Sequence, residues 1–574
     1  MFQCVCPKLE QILAIIFLSL SLAFPVKSAD AGRGERVEVN NGVVATDETE
    51  CSRIGRDTLA RGGLAVDAAV AATLCIGVLG PADSGLGGGG FILVRSANGE
   101  AKVFGMIEMA PGRANKWKVS PLSIAVPGQL AGLFTVHKLY GKLPWTSLVK
   151  PAEALARKGF NVSRSLFHKM ATAESNIMAN EELRSIFAPN GQILNQGQTV
   201  CLRKLADTLA AIAKHGMKIF YNRSIAESLA EDIKRVSGIV TKEDFQKYQV
   251  ITREPLVAHV LGYKILTVPP PASGGAVVIL ILKTLSKYKD KDILPTPLQV
   301  HRTIEALKYA LALRMNLGDP EFVNITSTLK LMISNSTAEK LGSLIDDNKT
   351  FDPSHYGSKW DQLNDHGTNH ICIVDRQHNV VSMTTSINTK WGSKVMSPST
   401  GIFLNNQMYY FSNPTSKFRP GAPANFVSPF KRPLSSLSPV ILEKGGRVRA
   451  CIGSGGGLLI PDAVTQVLQN FFIVKKPSFD AVKAPRFYHR DYSSGIGDRY
   501  TYSSEILKEL KKRGHHLRRA ISGMTTCQFF SFSFFFVFDE LTTCQSVVQI
   551  LEGSKNGQLV AISDPRKGGF PAGY

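Results

Sequence analysis

Three pairs of short apolar segments, each pair joined by a turn sequence, constrain the fold of this chain most strongly. They are Phe91–Val94 with Ala101–Phe104, Ile371–Val374 with Val380–Met383, and Val440–Leu442 with Val448–Ile452. Asn98-Gly99 and Gly445-Gly446 are turn residues that tolerate positive φ, so the pairs predict antiparallel β-hairpins. Because the hairpins are distributed over both halves of the chain, antiparallel sheets are the expected framework of the fold.

Helical patterns lie between these hairpins. Cys51–Leu59 ends before Gly62-Gly63, the usual residue type for stopping a helix. Ala65–Cys75 is apolar on all sides, which predicts a buried helix. The other predicted helices are Leu205–Lys214, Pro297–Met315 and the basic segment Leu507–Arg519. Sheets with helices on their outer faces predict a layered α+β architecture.

Composition and charge narrow the classes of partner. The 574-residue chain carries 67 Lys and Arg against 46 Asp and Glu, a net charge of +21. Such an excess favours acidic surfaces or small anionic substrates. Nucleic acid would be another polyanionic partner, but the sequence has no helix-turn-helix, zinc-finger or RNP pattern. We therefore expect no nucleic-acid partner.

The N-terminal residues 1–28 have the pattern of a secretory signal peptide, since Lys8 precedes the apolar run Ile12–Phe24 and Ser28 offers a cleavage site. The run is short for a membrane span, and a retained signal anchor is the alternative. Secretion agrees with the N-x-S/T glycosylation sequons at Asn161, Asn222, Asn324, Asn335 and Asn348. We expect a glycosylated protein of the secretory pathway, extracellular (apoplastic) or at the cell surface, with the vacuole as the alternative.

The cysteines are too sparse and scattered to indicate a zinc site, so no metal is expected. Of nine cysteines, Cys4 and Cys6 fall in the signal region. Seven remain, an odd number, which requires at least one that is unpaired within the chain.

The Gly367–Thr368 step carries the most chemistry. A threonine hydroxyl is a poor nucleophile unless a base lies beside it. The α-amine of the same threonine can be that base once the preceding peptide bond is cut, so Gly367–Thr368 is a candidate self-cleavage site. The alternative is a Gly-Thr turn that leads into a strand, which is common turn chemistry.

Four sequence blocks distinguish these alternatives by resemblance. They are G-T-x-H at Gly367–His370, N-N-Q-M at Asn405–Met408, P-L-S-S at Pro433–Ser436, and G-S-G-G-G at Gly453–Gly457. In this order they resemble the γ-glutamyltranspeptidases (glutathione hydrolases), which are N-terminal-nucleophile hydrolases, and the plant type in particular.

The resemblance implies a four-layer αββα sandwich made jointly by the two halves of one precursor. Residues 29–367 would form a large subunit and residues 368–574 a small subunit, held together as a heterodimer. The implied substrates are glutathione and its S-conjugates, with water, amino acids or peptides as acceptors of the γ-glutamyl group. No metal ion or organic cofactor is implied.

The resemblance also assigns roles to individual residues. Thr368 is the implied nucleophile, and the backbone N–H groups of Gly456 and Gly457 form the implied oxyanion hole. Ser386 occupies a position where the family usually has threonine, bonded to the nucleophile. The implied substrate contacts are Asn388 and Gln407 around the α-amine, and Ser435 and Ser436 at the α-carboxylate. Cys51 and Cys75 match the family's disulfide pair.

Two positions depart from the family pattern. The arginine that pairs with the substrate carboxylate is replaced by Ile107 in Ile107–Pro111, and the aspartate that holds the α-ammonium is replaced by Tyr410. Removing one partner of a buried charged pair typically costs about 2–5 kcal/mol. Arg113 is a candidate substitute. The rival hypothesis is therefore a self-cleaved protein with weak or no catalysis and a binding or structural role.

Three further segments have unusual sequences. Ser84–Gly90 lacks the spacing of a phosphate-binding loop, so it indicates a tight turn with close backbone packing. Arg113–Pro121 is short by comparison with the family. Residues 529–545 follow a Thr-Thr-Cys-Gln sequence and end on its second copy, which indicates an intron-like insertion or, alternatively, an extra hairpin strand.

Overall fold

A computed structural model describes residues 36–114, 122–288, 296–362, 367–415, 419–490, 493–496, 502–519, 545–550, 558–566 and 569–574. The predicted signal peptide 1–28 lies outside the described residues. So do residues 115–121 of the short segment and residues 529–544 of the apparent insertion.

The strands fall into two large sheets and two small ones. In chain order they are β1 (Arg36–Val39), β2 (Val43–Ala45), β3 (Gly89–Arg95), β4 (Ala101–Gly105), β5 (Phe160–Asn161), β6 (Thr199–Val200), β7 (Ile251–Arg253), β8 (Leu256–Val260), β9 (Tyr263–Thr267), β10 (Asn369–Val374), β11 (Val380–Ser386), β12 (Val440–Lys444), β13 (Arg447–Ser454), β14 (Phe487–Arg490), β15 (Ser493–Ile496), β16 (Leu517–Arg519), β17 (Gln545–Ile550), β18 (Leu559–Ser563) and β19 (Ala572–Gly573).

The helices of the described residues lie mostly between strands β2 and β10. They are Thr49–Ala60, Ala65–Leu79, Gln129–Tyr140, Trp145–Lys158, Arg164–Thr172, Glu174–Ala179, Glu181–Phe187, Arg203–His215, Lys218–Tyr221, Ser224–Arg235, Lys242–Lys247, Gly274–Leu285, Pro297–Arg314, Thr326–Ile333, Asn335–Leu344, Leu459–Phe472, Ser478–Lys483 and Ser504–Lys512. Short 3₁₀ turns cover Pro353–Tyr356, Gln407–Tyr410 and Pro423–Asn425.

Both large sheets have seven strands and combine segments from before and after Thr368. The first has the order β1-β18-β17-β13-β12-β9-β8, and the second has the order β19-β2-β10-β11-β3-β4-β7. Each ladder in them is antiparallel, including the three predicted hairpins β3–β4, β10–β11 and β12–β13. The predicted turn glycines Gly99, Gly445 and Gly446 all have positive φ. The hairpin predictions are confirmed.

The two sheets pack face to face, and strand alternation divides their side chains between two cores. Along β3, Phe91 and Leu93 point into the core between the sheets, whereas Ile92 and Val94 point to the helices. Successive side chains leave a strand on opposite faces, so one strand can serve both cores. In β10, Cys372 faces the other sheet and Ile371 faces the helices.

Helices cover the outer face of each sheet. Ala65–Leu79 is buried along its whole length against the second sheet. Gly274–Leu285 contacts β8 and Leu459–Phe472 contacts β13, so both helices pack on the first sheet, and their side chains extend its apolar cluster. The order helix, sheet, sheet, helix is the αββα sandwich that the resemblance implied. No helix among the residues described here is long and apolar enough to cross a bilayer.

One predicted helix is wrong in its second half. Leu507–Arg519 was expected to be a single basic helix, but the helix is Ser504–Lys512 and Leu517–Arg519 is strand β16. Gly514 lies between them with φ of +87°. Glycine in a left-handed conformation ends a helix, and the chain then turns to pair with β15 in parallel.

The disulfides and the exposure of the sequon asparagines agree with the expectations from the sequence. Cys51 is joined to Cys75, the pair implied by the resemblance, and a second disulfide joins Cys372 of β10 to Cys451 of β13. Cys201 is free and partly exposed. The five sequon asparagines are all exposed, at positions 161, 222, 324, 335 and 348.

Candidate active site

Thr368 lies directly before β10, an inner strand of the second sheet that pairs with β2 and β11. Gly367 has φ of +88°, a conformation that suits glycine. The Thr368 hydroxyl donates to the Gly367 carbonyl oxygen across the Gly367–Thr368 peptide, and Thr368 is buried. The candidate nucleophile therefore lies against the carbonyl group that self-cleavage would attack.

Ser386, the last residue of β11, meets the same carbonyl from the neighbouring strand. Its hydroxyl donates to the Gly367 carbonyl oxygen at 2.8 Å and accepts from the Asn388 backbone N–H at 2.8 Å. Ser386 was predicted to bond to the nucleophile. In the continuous chain, Ser386 instead donates to the carbonyl of Gly367, the residue before the nucleophile, and polarises that carbonyl.

Asn388 and Gln407 are joined through the two asparagines between their turns. The Asn388 side-chain amide donates to the Asn406 carbonyl at 3.0 Å, and Asn405 Oδ1 accepts from the Gln407 backbone N–H at 3.0 Å. Both side chains are buried. Among the described residues, Asn388 Oδ1 and Gln407 Oε1 have no hydrogen-bond partner. Two acceptors left in this state suit a ligand that donates protons, such as an ammonium group.

The glycine-rich turn lies beneath these residues. A Cβ on Gly88 would lie 2.2 Å from the Ser386 carbonyl oxygen, and a Cβ on Gly87 would lie 1.9 Å from that of Phe403. Asn405 Nδ2 also donates to the Gly87 carbonyl at 2.7 Å. The predicted role of this turn, close backbone packing, is confirmed.

Gly456 and Gly457 follow β13, a strand of the first sheet that contacts β10 of the second sheet. Both have positive φ, +122° and +59°. Within the described part of the chain, neither backbone N–H has a hydrogen-bond acceptor. A Cβ on Gly453 would lie 2.1 Å from the His370 ring, two residues after Thr368. This contact and the Cys372–Cys451 disulfide hold the two strands together at the site.

Ser435 and Ser436 lie before β12 and are both buried. The Ser435 backbone N–H donates to the Pro271 carbonyl at 2.8 Å. Arg314 Nη2 donates to Ser436 Oγ at 2.7 Å. These bonds tie the two serines to Pro271 and Arg314, at the end of the candidate site that does not carry Thr368.

The two departures from the family pattern occupy apolar surroundings. Ile107 is 1% exposed and packs in the core between the sheets, beside a cleft that Pro271 also lines. Tyr410 is 5% exposed and shares a buried apolar cluster with Leu434 and Leu458. Hydrophobic side chains therefore stand where the family has an arginine and an aspartate.

Arg113 does not replace the missing arginine. Its side chain is exposed. The pKa of Glu243 is lowered mainly by that residue's own backbone hydrogen bond, and the charge of Arg113 adds the smallest contribution. The suggestion that Arg113 reaches into the site is wrong, because the Arg113 side chain lies on the surface.

Glu108 is a site residue that the sequence reasoning missed as a functional group. It is fully buried, and neither carboxyl oxygen has a partner among the described residues. Burial raises the pKa of this carboxyl well above its usual range, so the neutral acid is favoured. A Cβ on Gly89 would lie 2.7 Å from Glu108 Oε2, and Gly89 pairs with Ser386. In the sequence, the signal that could have identified Glu108 was its position directly after Ile107.

Two groups of potential metal ligands occur in the described residues. His370 lies beside Cys372 and Cys451, but both sulfurs are already in a disulfide. His301 and His515 lie beside Glu305, which pairs with Lys308 at 2.9 Å. The His301 and His515 rings are 2.7 Å apart (Nδ1 to Nε2) and hydrogen-bond to each other. Internal partners thus occupy both groups of candidate ligands.

Comparisons with known proteins cover nearly the whole chain. The family described as Gamma-glutamyltranspeptidase matches residues 51–574. Glutathione hydrolase 2 of Arabidopsis thaliana is 42% identical over 97% of this chain and 97% of its own length. The glutathione hydrolase proenzyme of Escherichia coli (strain K12) is 34% identical, covering 83% of this chain and 86% of its own length.

Solved structures agree with the fold. Cephalosporin acylase from Bacillus halodurans has a TM-score of 0.82 at 23% identity, covering 96% of this chain and 99% of its own, a likeness of fold alone. Helicobacter pylori γ-glutamyltranspeptidase has a TM-score of 0.51 at 31% identity, covering 53% of this chain and 91% of its own. With the family match across residues 51–574, these findings show that the chain belongs to the γ-glutamyltranspeptidases, a family of N-terminal-nucleophile hydrolases.

Proposed function

We propose that this protein is a self-cleaving γ-glutamyl hydrolase and transferase that acts on glutathione and its S-conjugates. Cleavage at Gly367–Thr368 would yield a large subunit, residues 29–367, and a small subunit, residues 368–574, which remain together as a heterodimer. The observation that carries the proposal is the Gly367 carbonyl oxygen, which accepts hydrogen bonds from both Thr368 and Ser386.

Self-cleavage follows from that arrangement. Thr368 Oγ attacks the Gly367 carbonyl carbon, the hydroxyl proton passes to the Thr368 nitrogen, and the Gly367–Thr368 C–N bond breaks to give an ester of Thr368 with a free α-amine. Water then hydrolyses the ester, which releases the Gly367 carboxylate and restores the Thr368 hydroxyl. Ser386 stabilises the negative charge that develops on the carbonyl oxygen, and one such donor is worth roughly 2.7–4 kcal/mol.

Turnover reuses the same hydroxyl. The freed amine accepts the proton from Thr368 Oγ as it attacks the γ-glutamyl amide, which gives a γ-glutamyl-threonyl enzyme. General base catalysis of this kind contributes about 10²–10⁴-fold. The N–H groups of Gly456 and Gly457 would bind the oxyanion, and water or an amino acid or peptide amine would accept the acyl group. No metal ion or organic cofactor enters these steps.

Substrate recognition divides between two ends. Asn388 and Gln407 present acceptors that suit the α-ammonium, and Ser435 and Ser436 present hydroxyls that suit the α-carboxylate. The exposed sequons and the Cys51–Cys75 disulfide support passage through the secretory pathway. Extracellular, cell-surface and vacuolar destinations all agree with these features.

The apolar settings of Ile107 and Tyr410 favour a second candidate, a cleaved relative with weak turnover and a binding role. One set of variants tests both. We expect Thr368→Ala to remain a single chain of the 62.5 kDa class without turnover of a γ-glutamyl anilide, whereas Thr368→Ser retains both cleavage and turnover. An uncut parent chain would refute the proposal. A cleaved parent that releases no anilide would establish the second candidate.

A further inference from the structure

We propose that Arg314 is a positioning residue for recognition of the substrate α-carboxylate, acting through the hydroxyls of Ser273 and Ser436. The inference rests on the function proposed above. Arg314 is the last residue of the helix Pro297–Arg314 and is fully buried. Its Nε donates to Ser273 Oγ at 2.8 Å, and its Nη2 donates to Ser436 Oγ at 2.7 Å.

The first consequence concerns the direction of the Ser436 hydroxyl hydrogen. A guanidinium group has five donors and no acceptor, so Ser436 Oγ must be the acceptor in this bond. The hydroxyl hydrogen of Ser436 therefore points away from Arg314. Hydrogen bonds from a charged donor polarise the next group in a chain, which makes the Ser436 hydroxyl a better donor to a carboxylate.

The second consequence concerns the backbone of Ser435. Ser273 Oγ accepts from Arg314 and donates to the Ser435 carbonyl at 2.7 Å, and the Ser273 backbone N–H donates to the same carbonyl at 2.7 Å. The Ser435 N–H is held by the Pro271 carbonyl. One guanidinium group thus braces Ser273 and Ser436, and through them fixes both serines of the P-L-S-S block.

This bracing has unusual weight in this chain because position 107 carries an isoleucine. Ile107 is buried among apolar side chains and offers no donor to a carboxylate. With no charged group at position 107, serine hydroxyls carry more of the recognition of the carboxylate, and their strength as donors depends on their orientation. The group that these hydroxyls would bind is the α-carboxylate of the acyl donor, which is attached to the same carbon as its ammonium group.

Two anilide substrates separate positioning from general damage. γ-Glutamyl anilide carries the α-carboxylate, and 4-aminobutanoyl anilide has the same amine and amide without it. The measured quantity is kcat/KM for the γ-glutamyl anilide divided by kcat/KM for the 4-aminobutanoyl anilide. In Arg314→Met we expect this ratio to fall about 10- to 100-fold, as for the loss of a hydrogen bond to a charged group. The change should appear mainly in KM for the γ-glutamyl substrate.

Three further variants complete the experiment. Arg314→Lys keeps one donor and should restore part of the ratio. Arg302→Met is the matched control, because Arg302 lies on the same helix and pairs with Asp347 instead; its ratio should not change. If Arg314→Met fails to fold, Ser273→Ala breaks the same chain of bonds and should lower the ratio about 3- to 10-fold.

The outcomes are distinct. An equal fall for both anilides in Arg314→Met, or an unchanged ratio in Ser273→Ala where Arg314→Met does not fold, would overturn the positioning role while leaving the proposed function intact. Failure of the parent to hydrolyse either anilide would refute the proposed function, and the positioning role with it.

Discussion

The candidate site has one end at Thr368 and another at Ser435 and Ser436. The two ends differ in how far their proposed roles rely on charged side chains. At the Thr368 end, the groups that act on the Gly367 carbonyl are hydroxyls from neighbouring strands of one sheet. Recognition of the substrate's carboxylate and ammonium groups calls for fixed charges, and the two family positions for such charges are Ile107 and Tyr410. The proposed backbone cleavage needs no charged partner, so we expect cleavage to tolerate these changes better than turnover does.

The comparison is tested most strongly by restoring the charges. We expect Ile107→Arg with Tyr410→Asp to raise kcat/KM for a γ-glutamyl anilide by about 10²-fold or more, since each charged pair is worth about 2–5 kcal/mol. The extent of chain cleavage should not change, and a gel measures it. Ile107 and Tyr410 belong to different apolar clusters, so each new charge is buried without a protein partner and both the single and the double variants should be less stable than the parent. Unaltered turnover in a folded double variant would show that the two positions do not limit activity.

A substitution at the Thr368 end should slow chain cleavage. We expect Ser386→Ala to slow cleavage at Gly367–Thr368 by about 10²–10³-fold, because it removes the donor to the scissile carbonyl. The half-time of conversion to two chains measures this effect. Ser386→Thr keeps the hydroxyl and is the control. Cleavage of Ser386→Ala at the parental rate would remove Ser386 from the mechanism.

We expect acid to lower the free energy of unfolding of the chain, because His489 and His515 are buried. Burial lowers the pKa of His489 to about 3 and that of His515 to about 2. As pH falls below about 6.5, the unfolded chain gains protons that the folded chain does not, so stability falls until the folded pKa values are reached. The slope is about 1 kcal/mol per pH unit for each histidine.

Thermal unfolding of the uncut Thr368→Ala chain between pH 7 and pH 4 measures this slope without subunit dissociation. His515→Asn should make it shallower. His168→Asn, a substitution in the helix Arg164–Thr172 on the opposite outer layer, should leave it unchanged. Equal slopes in all three chains would contradict the assignment.

The smallest expected effect is a change in stability on substitution of Glu108, which lies beside Ile107 and near Ser386. Because its pKa is raised in the folded state, its contribution to stability is present below about pH 4.5 and is lost as pH rises towards the folded value. Glu108→Gln cannot ionise, so we expect it to be more stable than the parent near pH 7 by on the order of 1 kcal/mol. Denaturant unfolding measures the difference, and a less stable Glu108→Gln would refute a neutral Glu108.

Much of the fold follows from local sequence, and some of the site does not. Turn glycines with positive φ and alternating apolar residues are local signals, so β3–β4, β10–β11 and β12–β13 could be predicted. The error at Leu517–Arg519 has the opposite origin, because pairing of β16 with the distant strand β15 overrode a helix-like pattern.

Site residues divide in the same way. Thr368, Gly456 and Gly457 lie in sequence blocks whose chemistry can be recognised without a structure. Arg314 carries no such signal, because it reads as one more residue of a helix. Its bond to Ser436 joins residues 122 positions apart, which only folding brings together.

The sequence by itself determined the strand and helix pattern, the Gly367–Thr368 step and the family, because these depend on residue types at short spacing. Only the tertiary structure decided that Ser386 donates to the Gly367 carbonyl, that Cys372 pairs with Cys451, and that Arg113 lies outside the site. Each of these depends on which side chains two packed sheets bring within hydrogen-bond or covalent distance, and that distance is set by the packing of the whole chain.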